Sequence, residues 1–128
     1  MKQGVNNRYR SAAAEFAERV SSLLGDQVHS NILYGSVARG RAKRDSDIDV
    51  LVIDTSPVAR DKVFDIAYEL GEATDFEIFI TVVYFTREDL YRIYSLGSPF
   101  IANVVRDGII LHDDGTFAGL LKQVPSGR

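Results

Sequence analysis

The sequence contains no cysteine, which excludes both a disulfide framework and a thiolate metal site. No apolar run approaches the roughly 20 residues that cross a bilayer. The first ten residues, MKQGVNNRYR, also lack the apolar segment of a secretory signal. These absences predict a cytoplasmic protein without a membrane partner. Positive charge is not in excess either: 15 Lys and Arg stand against 18 Asp and Glu, for a net charge of −3. A broad nucleic-acid-binding surface is not expected on that balance. There is no internal repeat and no low-complexity tract. No GK[ST] follows Gly35, and Gly35 to Gly40 does not form a G-x-G-x-x-G, so a Walker-type phosphate loop is excluded.

The 128 residues, 45% of them hydrophobic, suffice for one domain over residues 1–128 with a single core. In SAAAEFAERVSSLLG, Ala13, Phe16, Ala17, Val20, Leu23 and Leu24 form one helical stripe, with Gly25 as a stop. VHSNILY reads as a strand ending at Gly35, SVARGRA as a helical turn, and DIDVLVI as a second strand. PVARDKVFDIAYELG is a second amphipathic helix with Pro57 near its start. FEIFITVVYF is the most β-prone run in the chain. TREDLYRIYS follows, with Thr86 and Asp89 at capping-box spacing. SPFIANVVRDG is a helix capped by Ser98, IILHD a short edge strand, and the residues from about 120 a frayed end. This order predicts an α/β (α+β) fold, a small mixed sheet flanked by helices.

The segment YGSVARGRAKRDSDIDVLVI, residues 34 to 53, carries the chemistry. Strand alternation sends Asp47, Asp49, Leu51 and Ile53 to one face and Ile48, Val50 and Val52 to the other. The two carboxylates are then about 7 Å apart at Cα and repel one another unless a cation lies between them. Hard oxygen ligands suit Mg²⁺ or Mn²⁺. The Gly35-Ser36 turn between a strand and a helix start offers backbone N–H groups and a hydroxyl to a phosphate. Arg39, Arg41, Lys43 and Arg44 cluster beside it. A lone Asp-x-Asp is an ordinary strand entry. An apolar strand, Gly-Ser, ten intervening residues and then Asp-x-Asp opening a second strand is far more specific.

Here the sequence resembles the minimal nucleotidyltransferases (MNT) of the DNA polymerase beta-like nucleotidyltransferase superfamily, as found in HEPN/MNT toxin–antitoxin pairs. The minimal-family pattern GSxARGxAxxxSDIDxLV is matched nearly letter for letter from Gly35 to Val52, and SPFIANVVRDGIILH resembles the closing helix and strand. The resemblance implies the polymerase beta-like nucleotidyltransferase fold. It further implies that Gly35 and Ser36 hold the triphosphate of ATP with help from Arg39, and that Asp47 and Asp49 ligate Mg²⁺ or Mn²⁺. A third catalytic and metal-binding carboxylate would come from a neighbouring strand; Glu77 is expected there, with Asp75 as the other candidate.

The chain leaves little beyond this core to bind an acceptor, so another macromolecule or a second subunit is expected to present it. The resemblance implies transfer of AMP from ATP to a hydroxyl of a partner such as a HEPN toxin. A non-catalytic antitoxin module and a small-molecule nucleotidyltransferase are the alternatives. His29 and His112 have no partners at metal spacing and are expected at the surface or an edge. Asp113-Asp114-Gly115 reads as a turn.

Overall fold

The computed structural model describes residues 2–43, 46–54 and 59–122. Helix α1 runs Lys2–Leu24, two turns longer at its start than the apolar stripe required. Tyr9 is buried and continues the Ala13–Phe16–Val20 stripe upstream, while the Asn6 side chain accepts a hydrogen bond from the Ala42 backbone at 3.3 Å. Leu23, assigned to that stripe, is exposed instead; Leu24 takes the buried position. A short 3-10 turn at Gly25–Gln27 leads into β1 (Val28–Tyr34), then α2 (Gly35–Ala38) and β2 (Ile48–Asp54). Next come α3 (Arg60–Glu72), β3 (Ile80–Thr86), α4 (Arg87–Ser95), α5 (Pro99–Asp107), β4 (Ile109–Asp113) and α6 (Thr116–Leu121). Pro57, Arg44, Asp45 and the expected frayed tail beyond residue 122 lie outside the described residues.

The strands order β3-β2-β1-β4 in one mixed sheet. β1 pairs antiparallel with β2 and β4, and β2 pairs parallel with β3 through the α3 crossover. Both faces are covered. Phe16, Val20, Leu33, Val50, Val52, Val63 and Ile80 pack on the side of α1 and α3. Ile32, Leu51, Ile53, Leu90, Ile101 and Phe117 pack on the side of α4, α5 and α6. The alternation read from β2 therefore separates its residues onto the two faces as expected. The Thr86–Asp89 capping box and the Ser98 cap form as their spacing indicated.

Two expectations need correction. β3 starts at Ile80, so Asp75 and Glu77 do not lie on a strand. Asp75 and Phe76 take left-handed backbone (φ 53° and 61°), and the Phe76 N–H donates to the Gly71 carbonyl at 2.7 Å, closing a turn after α3. The Phe76 ring then packs against Tyr68, with centroids 5.4 Å apart. This C-terminal turn wins over the β-propensity of the run.

His29 is not at the surface. β1 is an inner strand, and the ring is buried, its Nδ1 2.5 Å from Asp114 Oδ2 with the Arg87 guanidinium 3.3 Å from both ring nitrogens. Burial alone would raise the Asp114 carboxyl, but its hydrogen bonds to His29 and Thr116 bring it down to about 2. The Asp113–Asp114–Gly115 turn thus ties α6 to the sheet.

Asn31, central in β1, is fully buried, and neither its amide nitrogen nor its oxygen meets a hydrogen-bond partner among the described residues. Burying an unpaired amide costs about 1–3 kcal/mol. Asn31→Val is therefore expected to raise the stability measured by urea unfolding by about 1 kcal/mol. An unchanged or lower midpoint would contradict this account of the site.

Candidate active site

At the end of β1 the backbone turns sharply at Gly35, whose φ is +78°. Three hydrogen bonds brace the turn: Arg39 N–H to the Gly35 carbonyl at 3.1 Å, Gly40 N–H to Val37 at 3.1 Å, and Arg41 N–H to Ser36 at 2.8 Å. Val37 and Ala38 are buried and anchor it; Ser36 is half-buried at its start. The chain then returns so that Tyr34 and Asp49 face one another in the antiparallel register. This pairing brings the glycine corner and the carboxylate into contact. A Cβ added at Gly35 would stand 2.3 Å from Asp49 Oδ2. Only a residue without a side chain fits under that oxygen.

Gly35→Ala consequently meets two penalties, a left-handed backbone of about 1–2 kcal/mol and displacement of the Asp49 carboxylate. It should lower thermal stability, read as a drop of several degrees in the melting temperature. A Gly35→Ala protein that melts with wild type would contradict this geometry.

The electrostatics of the pair follow from its placement. Asp47 is exposed just before β2, and Asp49 is half-buried one residue inside it. Burial, and then the charge of Asp47, push the Asp49 carboxyl above its ordinary value, against a downward pull from Arg39. The Tyr34 phenol is pushed up to about 12 by burial and by Asp49. Burial and Asp47 together outweigh Arg39 at the Asp49 carboxyl. Arg39 itself is shared, its guanidinium 4.0 Å from Asp107 at the end of α5.

The third carboxylate is not where it was expected. The parallel register sets Thr81 of β3 beside Asp49, and Thr81 lies on the same sheet face, which it shares with Val83 and Phe85. Glu77 sits in the exposed turn before β3 and pairs with Arg8 of α1 at 3.1 Å. That helix covers the opposite face of the sheet, so the structure does not bring Glu77 to Asp47 and Asp49. Asp75 lies in the same turn. Among the described residues no group of three or more His, Asp or Glu is placed to hold a metal ion.

The residues present fit a divalent cation as a two-carboxylate site. Both donors are hard oxygens, Asp47 lies near enough to act on the Asp49 carboxyl, and the other ligands would have to come from substrate or water. Thr81 and Asp107 are neighbours that sequence reasoning missed. The first depends on a parallel register that no local pattern encodes. The second lies in the RDG end of a helix that reads as an ordinary terminus. No helix among the described residues is long and apolar enough to cross a membrane.

Comparison with known proteins identifies the family of the chain. The family model of the nucleotidyltransferase domain matches residues 13–112. A curated relative from Methanocaldococcus jannaschii, provisionally named a protein adenylyltransferase, is 39% identical over 66 residues. The match takes in 44% of this chain and 45% of the relative, so the chain spans about half the length of that protein. Among solved structures, a toxin–antitoxin with AMP-PNP is 20% identical with a TM-score of 0.53, over 84% of this chain and 79% of that one. A mutant of the toxin–antitoxin MntA-HpeT is 19% identical with a TM-score of 0.56 over the same shares. At these identities the two structures share the fold.

Proposed function

The chain belongs to the nucleotidyltransferase domain family, and from that premise we propose that it transfers AMP from ATP to a hydroxyl of a partner protein, in the manner of a HEPN/MNT pair. The fold is the polymerase beta-like one. The observation that carries the reading is the Asp49 carboxylate packed directly over the Gly35 corner, which sets an anionic metal-binding pair against backbone that can receive a phosphate. The curated relative named for protein adenylylation supports AMP and a protein acceptor. The toxin–antitoxin structures, one of them with AMP-PNP, support a toxin as the partner.

The residues divide the work. Asp47 and Asp49 would hold Mg²⁺ or Mn²⁺, which when bound supplies the charge that lets a triphosphate approach two carboxylates. Gly35 presents its backbone, and Ser36 a hydroxyl, to the triphosphate. Arg39, held near the site by Asp107, adds positive charge on the same side and stabilises the departing pyrophosphate. Tyr34 stays a neutral phenol beside Asp49. Glu77 is left out of this assignment.

One observation favours a second reading. Thr81 in place of a strand carboxylate is what a protein that binds nucleotide and neutralises its partner by contact could tolerate. Incubating the chain with radiolabelled ATP, Mg²⁺ and the product of the adjacent gene separates the two. Label on the partner supports transfer. Stable association without label supports the contact reading and rejects enzymatic transfer.

A further inference from the structure

We propose that the chain pairs with a second copy of itself along β3, edge to edge and antiparallel about a two-fold axis at Val83, so that two four-stranded sheets become one continuous sheet. This pairing does not depend on AMP transfer and is tested without it.

Among the described residues β3 is an outer strand, laddered to β2 on one side. The Ile48 N–H donates to the Phe79 carbonyl at 2.9 Å, so Phe79, Thr81 and Val83 turn their backbone groups to β2. Ile80 and Val82 turn theirs away from it. An outer strand is a template for another strand, and folded proteins blunt it with lysine, proline, a bulge or a short length. β3 has none of these. ITVVYFT runs seven residues without a charge, a proline or a glycine, in continuous register with β2. β4, the other outer strand, is five residues long, has an irregular register to β1 and ends in His112 and Asp113. The inner strands are almost wholly buried, whereas Thr81 through Thr86 are all half-exposed, Val82, Val83, Tyr84 and Phe85 among them. Exposed apolar side chains gather on the same flank: Phe76 and Phe79 just before the strand, and Tyr68 and Tyr91 on the two helices, α3 and α4, that pack against it. An apolar band around a bare strand marks an interaction surface.

Symmetry and charge both select a second copy as the occupant. Full antiparallel overlap of the seven residues puts Val83 opposite itself, Val82 opposite Tyr84, Thr81 opposite Phe85 and Ile80 opposite Thr86. Each pair joins β-branched or aromatic side chains, the combinations that stabilise neighbouring strands. Val82 and Tyr84 lie on one face of the sheet and Val83 and Phe85 on the other, so every pair meets on a single face. The two ends of β3 also differ in charge. At its start Glu72, Asp75 and Glu77 are exposed, with Arg8 paired to Glu77, and no Lys or Arg occurs from Val63 through Thr86. At its end stand Arg60, Lys62 and Arg87 with Asp61 and Glu88, and Arg60 lies near enough to act on the Tyr84 phenol. Antiparallel pairing sets the acidic end of one copy beside the more basic end of the other, whereas parallel pairing would set acid against acid. The arrangement closes on itself: each copy covers the other's bare edge, and the outer strands that remain are the two irregular β4 strands.

Sedimentation velocity of the whole chain should show a monomer–dimer equilibrium whose dimer fraction rises with protein concentration. In the same wild-type chain the Val82 amide, which faces away from β2, should exchange with deuterium more slowly in concentrated than in dilute solution. Val83→Lys sets like charges against each other on the axis and should raise the dimer dissociation constant about a hundredfold, with the circular dichroism spectrum unchanged. Val83→Glu should do the same, and an equimolar mixture of the two variants should recover the dimer, because opposite charges then face one another. Val83→Thr should stay dimeric. A wild type that is monomeric at every concentration, assembly beyond the dimer, or a Val82 amide indifferent to concentration would each overturn the proposal. So would folded Val83→Lys that dimerises as wild type does, or folded variants that fail to recover the dimer on mixing. Should the charged variants not fold, the Val82 amide decides the matter, since it is read in the unaltered chain.

Discussion

Replacing Asp47 and Asp49 together by asparagine is expected to lower the proposed AMP transfer by about a thousandfold or more while leaving the fold intact, because the site then loses both of the anions proposed to hold the metal. Fold survival is the less obvious half. Burial and the neighbouring Asp47 hold the Asp49 carboxyl above its ordinary value. An acid whose folded value is raised binds its proton more tightly in the native state, so its contribution to stability declines as pH rises through that range. The amide pair removes this penalty, and Arg39 keeps Asp107 as a partner. At neutral pH, without metal, the double variant should melt no lower than wild type, and added Mg²⁺ should not shift its midpoint. Residual transfer within tenfold of wild type would remove the metal from these residues. A collapse of the melting temperature would show that the pair serves the fold.

Much of this site was legible from 18 consecutive residues, Gly35 to Val52, because their geometry is local: a strand end, a corner, a return and a strand start. The alternation that puts Leu51 and Ile53 on one face of β2 follows from the pleat alone. Caps at Thr86 and Ser98 were readable for the same reason. What could not be read was anything set across the chain. Glu77 reads as a strand residue because Ile78 and Phe79 follow it, yet the turn after α3 captures Phe76 by a hydrogen bond to Gly71 and holds residue 77 off the sheet. The burial of His29 depends on β4 pairing outside β1, with Asp114 arriving 85 positions later. Leu23 and Leu24 are equally apolar, and only the docking angle of α1 decides which is covered.

The register that puts Thr81 beside Asp49 leads to the second large expected effect, a gain. Thr81→Asp would place a third carboxylate one strand away from Asp49, at the sheet spacing of about 4.8 Å and on the same face. Without metal this adds a like charge beside Asp49, and stability should fall by about 0.5–1 kcal/mol. With millimolar Mg²⁺ the order should reverse: a third hard oxygen tightens cation binding, and binding to the native state alone raises the midpoint by mass action. The melting temperature of Thr81→Asp should therefore rise with Mg²⁺ more steeply than that of wild type, and transfer should increase about tenfold at limiting metal. Thr81→Asn, of the same size without the charge, should show neither effect. If Thr81→Asp loses stability that Mg²⁺ cannot restore, its side chain does not reach the Asp47–Asp49 pair. If affinity for the ion rises with no gain in transfer, two carboxylates already suffice for the chemistry, and the threonine limits only how tightly the site holds its cation.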